Sequence, residues 1–476
     1  MSQFSILLSE YINRKGIQVY PLTQYCSLDR STMYKYINGK RLPPRQELVE
    51  KISDYMRLSP AEHQKLITAW KMEEIGADAY YNRQNVRDFI LNFPDVSKIN
   101  PVFLSSFSAS GTSENIPECQ ALTSLTSVNS TVCRIILQES RKENGRLALL
   151  LQPDNDYLFH FLASLGESEC SLSIEHILCL NNTPQLNKGS QSSNLQYLQK
   201  VLPLYIRALD YRIYYYYDSV DSHFSSLNGF SCMILTGNSA VVCTSDYQSG
   251  ILYSHPDTVR LLWNLFDRYR ESCSLLFHPV CSIHEELEMV DSMQTDNTKT
   301  YLLQPEPCLA PFLTPDLVEK YLYPDLPNRE TLVLTLSDFL VNRRQKILQQ
   351  NFRIMLTVEG VREFLKTGRV YEIPQGICPP FEPEDRKLLV SRILSDAPGN
   401  YLLLRGELQV LPHNLHLLAC SSGGYLLFTN RLDQTVYLVF EEPGLLAAFL
   451  DYLSSLDPEH LYPAGQSAEI LRELLS

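Results

Sequence analysis

No run of apolar residues in this 476-residue chain approaches the roughly 18 that a membrane-spanning helix needs, and its first residues do not resemble a secretory leader. A cytoplasmic protein with no membrane partner is expected. The 12 cysteines are scattered and form no C-x-x-C pair, which removes the usual signatures of zinc ribbons and dithiol redox motifs. Free, mostly buried thiols in a reducing compartment are the simplest account. Spacing gives an oxidation sensor no support.

Motifs for catalysis are missing in the same way. A P-loop cradles phosphates with glycines and a lysine, and Lys188-Gly189-Ser190 lacks that spacing. His284-Glu285-Glu286-Leu287-Glu288 lacks the second histidine of a zinc protease and reads as a solvated acidic helix. Cys281 and His284 are placed to share a metal ion, but no second Cys/His pair has matching spacing. Gly229-Phe230-Ser231-Cys232-Met233 ends in methionine where a serine elbow needs glycine. No catalytic residue, no metal and no cofactor is therefore assigned, and the chain is expected not to be an enzyme.

Overall positive charge is lacking too. The formal balance is −13, which excludes a protein coated for nucleic acid over its whole surface. The distribution says more. Residues 11–45 hold Arg14, Lys15, Arg30, Lys35, Lys40, Arg41 and Arg45 against Asp29 alone. A basic patch on an acidic protein favours docking by one face, with a solvated basic helix pair as the plainer alternative.

The residues from Leu22 to Arg41 read as two short helices joined by a tight turn. Asp29 is a good N-cap, because its carboxylate can accept from free N–H groups of the first turn. Asn38-Gly39 supplies a left-handed stop. Between them, helical spacing sends Met33, Tyr36 and Ile37 inward and Arg30, Ser31, Tyr34, Lys35 and Asn38 outward. An apolar back with a polar, basic front suits a helix that reads the major groove. The segments Leu22–Ser27, Asp29–Ile37 and Asn38–Pro44 resemble, in register, the Xre/Cro-type (lambda-repressor-like) helix-turn-helix of phage repressors and bacterial regulators. The resemblance extends to about Ile75. Thr23 stands where that family usually has a small Ala, and Ile37 where it often has Glu. What the resemblance implies is double-stranded DNA as partner. Arg30, Ser31, Tyr34 and Lys35 would read base edges, and Thr32, Asn38, Lys40 and Arg41 would hold phosphates. One such domain offers few contacts, so a homodimer on two half-sites is expected.

Around that stretch the chain reads as multidomain. An all-α, five-helix helix-turn-helix domain is expected over 1–76. Its first helix carries Phe4, Leu7, Leu8, Tyr11 and Ile12 on one stripe, its fourth starts at Pro44, and its fifth opens with the capping box Ser59–Glu62. A helix over 79–93, connecting, dimerising or packed on the next domain, leads into a Ser/Thr-rich linker that closes the segment 77–131. From 132 onward, short apolar runs (Cys133–Leu137, Leu147–Leu151, Leu172–Leu180) alternate with helix-like stretches such as Tyr157–Leu165. That is the pattern of a large α/β (α+β) C-terminal region. Tyr205–Tyr217, ending in four tyrosines, reads as a helix leading into a strand. Three strand candidates and a helix occur at 232–271 and again at 416–455, so two similar lobes, 132–290 and 300–476, are expected, chance repetition being the alternative.

The strand and helix rhythm of those lobes is weakly similar to a phospholipase D-like body. That chemistry would require His-x-Lys followed by Asp in each lobe. His63-Gln64-Lys65 is the only His-x-Lys in the chain, and it lies in the N-terminal domain. If the fold is shared, phosphodiesterase activity should be absent. The function expected is a sequence-specific DNA-binding transcriptional regulator whose C-terminal region senses a small-molecule or protein effector or assembles the oligomer. The alternatives are a DNA-targeted enzyme or effector, for example in defence against mobile DNA, with an active site between the lobes, and an interaction scaffold with a degenerate head.

Overall fold

The computed structural model describes residues 2–93, 117–166, 171–181, 194–220, 229–280, 285, 293, 299–347, 351–373, 375–397, 399–432, 434–456 and 458–476. The Cys281–His284 pair, Lys188-Gly189-Ser190 and most of the acidic stretch 284–288 lie outside the described residues. The chain forms two units, Met1–Asn85 and Val86–Ser476, and is a multidomain α/β protein. Among the described residues, no helix is long and apolar enough to cross a membrane.

Local capping chemistry builds the first unit. α1 (Gln3–Arg14) starts where the Ser2 hydroxyl accepts from the Ser5 N–H, and it buries Phe4, Leu8, Tyr11 and Ile12. α2 (Val19–Tyr25), α3 (Arg30–Ile37), α4 (Gln46–Tyr55) and α5 (Pro60–Ile75) follow. At α5 the Ser59–Glu62 capping box closes in both directions, and Pro60 fills the first helical position. α4 begins at Gln46 rather than at Pro44, because the prolines before it belong to a loop whose Pro43 carbonyl accepts from Trp70 Nε1 at 2.8 Å. Met33, Tyr36, Val49, Ile52, Leu66 and Trp70 meet in one apolar core.

α6 (Ala77–Leu91) carries the boundary between the units, nine residues beyond the edge expected at 76. Its later residues belong to the core of the second unit. Phe89 packs edge-on against Phe449 with ring centres 5.7 Å apart, and Phe93 lies 5.6 Å from Phe428. Those ring contacts are the packing on the following domain expected as one role of this helix.

The second unit holds two mixed sheets. The first comprises β1 (Cys119–Leu122), β2 (Gly145–Leu150), β3 (Leu172–Asn181), β4 (Asp210–Asp218), β5 (Cys232–Thr236), β6 (Ala240–Cys243), β7 (Gly250–Tyr253) and β8 (Ser274–Leu275), in the order β1-β7-β6-β5-β2-β3-β4-β8. The second comprises β9 (His278–Pro279), β10 (Thr300–Leu303), β11 (Phe352–Leu356), β12 (Tyr401–Leu403), β13 (His416–Cys420), β14 (Gly423–Thr429) and β15 (Thr435–Phe440). Read from its far edge, its order is β9-β15-β14-β13-β10-β11-β12. Seven strands of each sheet therefore share one wiring. Three parallel strands (β2, β3, β4; β10, β11, β12) are followed by an antiparallel meander, and the first strand of each set pairs antiparallel with its last. The repeat legible at 232–271 and 416–455 is the meander and helix of this larger duplication.

Helices fill in the crossovers, as parallel strands require. α7 (Leu125–Ser140) precedes β2, and α8 (Asp156–Leu165) and α9 (Asn194–Ile206) link β2 to β3 and β3 to β4. α10 (Pro256–Glu271) follows the first meander. In the second set, α11 (Pro315–Tyr321) and α12 (Arg329–Ile347) join β10 to β11, and α13 (Val358–Thr367) and α14 (Pro383–Asp396) join β11 to β12. α15 (Pro443–Ser454) follows the second meander, and α16 (Ala464–Leu475) ends the chain.

Cys133–Leu137, taken among the apolar runs of an alternating pattern, lies inside α7, whose Ser124 hydroxyl caps the N-terminus by accepting from the Ser127 N–H. The serine-rich approach that read as linker is thus partly helix, and its 117–122 end reaches β1. Residues 94–116 of that stretch lie outside the described residues. A cut at 132 falls within α7. The two sheets are also not independent lobes, since one apolar core takes Leu147, Leu149 and Leu151 from the first sheet and Tyr301, Leu303 and Leu417 from the second. β9, within the segment assigned to the first lobe, pairs with β15 of the second sheet.

Candidate nucleic-acid interface

α2 and α3 are connected by Cys26-Ser27-Leu28-Asp29. The Ser27 N–H donates to the Gln24 carbonyl and the Leu28 N–H to that of Thr23 at 2.9 Å, while Ser27 takes a positive φ of 55°. Asp29 then opens α3. Its carboxylate accepts from the Thr32 N–H at 2.8 Å and the Thr32 hydroxyl at 2.6 Å. Those bonds, the hydroxyl's first, hold the Asp29 carboxyl below the usual carboxylate range. Thr32 is therefore only half exposed, with its hydroxyl proton already committed.

The exit is a Schellman turn. The Gly39 N–H donates to the Tyr36 carbonyl and the Lys40 N–H to the Lys35 carbonyl at 2.8 Å. Gly39 has a φ of +68°, and a Cβ there would come within 2.7 Å of Ser5 Oγ. Glycine is needed on both counts. Thr23, where the resembled family usually has Ala, is buried, and its hydroxyl donates to the Tyr20 carbonyl at 2.6 Å.

The helix backed by this frame is two-sided. Met33 and Tyr36 are buried and Ile37 packs beside them. Arg30, Ser31, Tyr34, Lys35 and Asn38 are exposed on α3 and its cap, and Lys40 and Arg41 are exposed just beyond. All eight residues assigned to a DNA face from sequence thus fall on one short segment, with Thr32 the least open. The positive charge is narrower than the composition of 11–45 implied. Arg14 and Lys15 pair with Glu62, Lys15 at 3.1 Å, which leaves them committed within the unit. Bonding to the Ser59 N–H and then to Lys15 holds the Glu62 carboxyl down at about 2. Among the described residues, no carboxylate forms an ion pair with Arg30, Lys35, Lys40, Arg41 or Arg45.

No protein-family model and no curated protein matches this chain. Solved structures with some likeness include TrmBL2, an archaeal chromatin protein, at 7% identity over 46% of this chain and 71% of that one, with a TM-score of 0.24. Phosphatidylserine synthase from Haemophilus influenzae Rd KW20 aligns at 10% identity over 83% of this chain and 96% of that one, TM-score 0.22. Polyphosphate kinase from Porphyromonas gingivalis aligns at 13% over 73% and 53%, TM-score 0.20. Scores this low carry no argument about fold or function.

A second polar centre escaped the sequence reading. Leu150-Leu151-Gln152-Pro153-Asp154 and Leu302-Leu303-Gln304-Pro305-Glu306 end the matching strands β2 and β10 with the same motif. In the second copy, Glu306 is buried and its Oε1 lies 2.8 Å from His416 Nε2, also buried, while accepting from the Tyr371 N–H at 2.8 Å. Burial opposes charge on His416, but Glu306 and then Glu372 overcome it and lift the imidazole above its ordinary value. The His63 of the only His-x-Lys meets Ser53 Oγ through Nδ1 at 2.7 Å, within the first unit. Among the described residues, no group of three or more His, Cys, Asp and Glu side chains is arranged to hold a metal ion.

Proposed function

We propose that this chain is a sequence-specific DNA-binding transcriptional regulator of the Xre/Cro helix-turn-helix kind. Its five-helix first unit docks on DNA through α3, and its large second unit senses an effector or assembles a homodimer, without catalysis of its own. The observation that carries this reading is the two-sided α3: Arg30, Ser31, Tyr34 and Lys35 exposed over a buried Met33 and Tyr36, with Lys40 and Arg41 at its exit in no ion pair among the described residues. Arg30 and Lys35 offer donors to guanine, which presents two acceptors side by side in the major groove. Lys40, Arg41 and Asn38 flank the helix where phosphates pass and set its register. Thr32 reaches a phosphate only by giving up its bond to Asp29, so it contributes least.

The test is selection of bound duplexes from a random pool with the full-length protein, followed by titration on the enriched duplex. Arg30→Ala should weaken binding there by about 1–3 kcal/mol and relax preference at one base position. Lys40→Ala should weaken all duplexes alike and reduce the salt slope by about one unit. Enrichment of no duplex by the wild-type protein would overturn the reading.

A further inference from the structure

Tyr20 lies on α2, outside the set of residues assigned to the interface. Its ring sits beneath the Arg30 guanidinium, with Arg30 Cζ 5.3 Å from the ring centre. One hydrogen bond reaches the Tyr20 hydroxyl and another its backbone carbonyl. Gln24, one turn along, donates from Nε2 to the Tyr20 hydroxyl at 2.9 Å, and the buried Thr23 donates to the Tyr20 carbonyl. Among the described residues, no carboxylate holds Arg30. A surface arginine without such a support samples many rotamers and loses that freedom on docking.

We infer that Tyr20 is a positioning residue, a platform that holds Arg30 aimed outward before DNA arrives. The inference rests on the DNA-binding reading above. A guanidinium lying flat on a ring is held there while its N–H edge stays free. That edge is the part that would meet the two acceptors of a guanine. Tyr20 therefore contributes to sequence preference without touching a base, and it does so through its ring rather than its hydroxyl. Being 52% exposed, it contributes little to the core, so its truncation should leave the fold intact.

The experiment uses the full-length protein and the duplex enriched by the wild type, beside a scrambled duplex of equal length. Tyr20→Ala should lose about two- to five-fold in affinity on the enriched duplex. Its binding to the scrambled duplex, its salt slope and its melting temperature should stay at wild-type values. Tyr20→Phe should bind like wild type, since the ring remains. In an Arg30→Ala background, adding Tyr20→Ala should cost nothing more. Loss on both duplexes, equal damage from Tyr20→Phe, or a full extra loss in the Arg30→Ala background would each overturn the platform. A wild type that enriches a duplex while Tyr20→Ala keeps full affinity sinks this inference alone. A wild type that enriches nothing sinks the DNA-binding reading and this inference with it.

Discussion

The first sheet buries His176 on β3, and the second buries His416 on β13; the two rings live by opposite rules. His176 donates from Nε2 to the Leu151 carbonyl at 3.0 Å and accepts at Nδ1 from the Tyr211 hydroxyl, so both nitrogens are satisfied by neutral groups. Burial pushes its pKa down to about 4. His416 instead faces the Glu306 carboxylate, and its proton is held above the ordinary pKa. The strand-end motif that supplies Glu306 occurs in both sheets, but the matching Asp154 reaches toward solvent and Lys200. One wiring thus ends in an exposed carboxyl in one sheet and a buried one beside a histidine in the other. The backbone pattern does not dictate which.

The largest effect should come from breaking the ionic version. Glu306→Leu removes the carboxylate that sustains charge on buried His416 and takes away the Tyr371 N–H's acceptor, a loss of about 3–5 kcal/mol. The same change at the matching position, Asp154→Leu, should stay within about 0.5 kcal/mol, as expected of an exposed side chain. Denaturant unfolding of both variants measures the contrast, and similar losses would mean the two motif copies are equivalent after all.

Acidity should separate the histidines next. Because the folded pKa of His176 is depressed, its stabilisation is complete above about 6.5, the ordinary value, and is lost as pH falls toward 4. The folded pKa of His416 is raised, so its contribution is complete below 6.5 and is lost as pH climbs through the folded value. Each group can impose a slope of at most about 1.4 kcal/mol per pH unit. Unfolding midpoints across that range should lose their acid limb in His176→Phe and their alkaline limb in His416→Leu. A variant that flattens the wrong limb would reverse the assignment.

The smallest effect concerns the helices after the meanders. α10 packs Val259 and Phe266 with Ala148 and Leu150, on the face of the first sheet away from the shared core, whereas α15 places Leu445 and Phe449 inside that core. Arg270 ties α10 to β3, with Nη1 2.8 Å from each Glu175 oxygen. Arg270→Met should cost about 1 kcal/mol, since the pair is only partly buried. Its effect should appear as faster hydrogen exchange along α10 and leave α15 unchanged.

Sequence reading went furthest where structure is local. Caps at Asp29 and Ser59 and stops at Gly39 and Gly76 are carried by single residues acting on their own turn, so the first unit was readable almost helix by helix. The meanders were readable because alternating apolar residues and turn signals lie within a few dozen positions. α7 was not, since its first half is rich in Ser and Thr and its second half, Cys133–Leu137, has the look of a strand. β1 and β9 are short, and nothing local marks them as the partners of β7 and β15. Glu306 and His416 are joined only by folding, and the repeated Leu-Leu-Gln-Pro-acid motif was the one signal that pointed there. On α3 the outward residues followed from helical spacing, while the pairing of Lys15 with Glu62 and the stacking of Arg30 on Tyr20 cross between helices and left no trace in the spacing.

The pairing of first strand with last has a consequence for synthesis. Cys119 must wait for Tyr253, and His278 for Val439, before either edge is covered. At about 5–20 residues per second, each nascent sheet would spend on the order of ten seconds with an unsatisfied border as the ribosome completes the repeat. The first unit has no such wait, because its core closes within its own short helices. Translation should therefore release a folded head long before a finished body. The interval between them is when the chain is most open to holding chaperones and to pairing with another copy of itself.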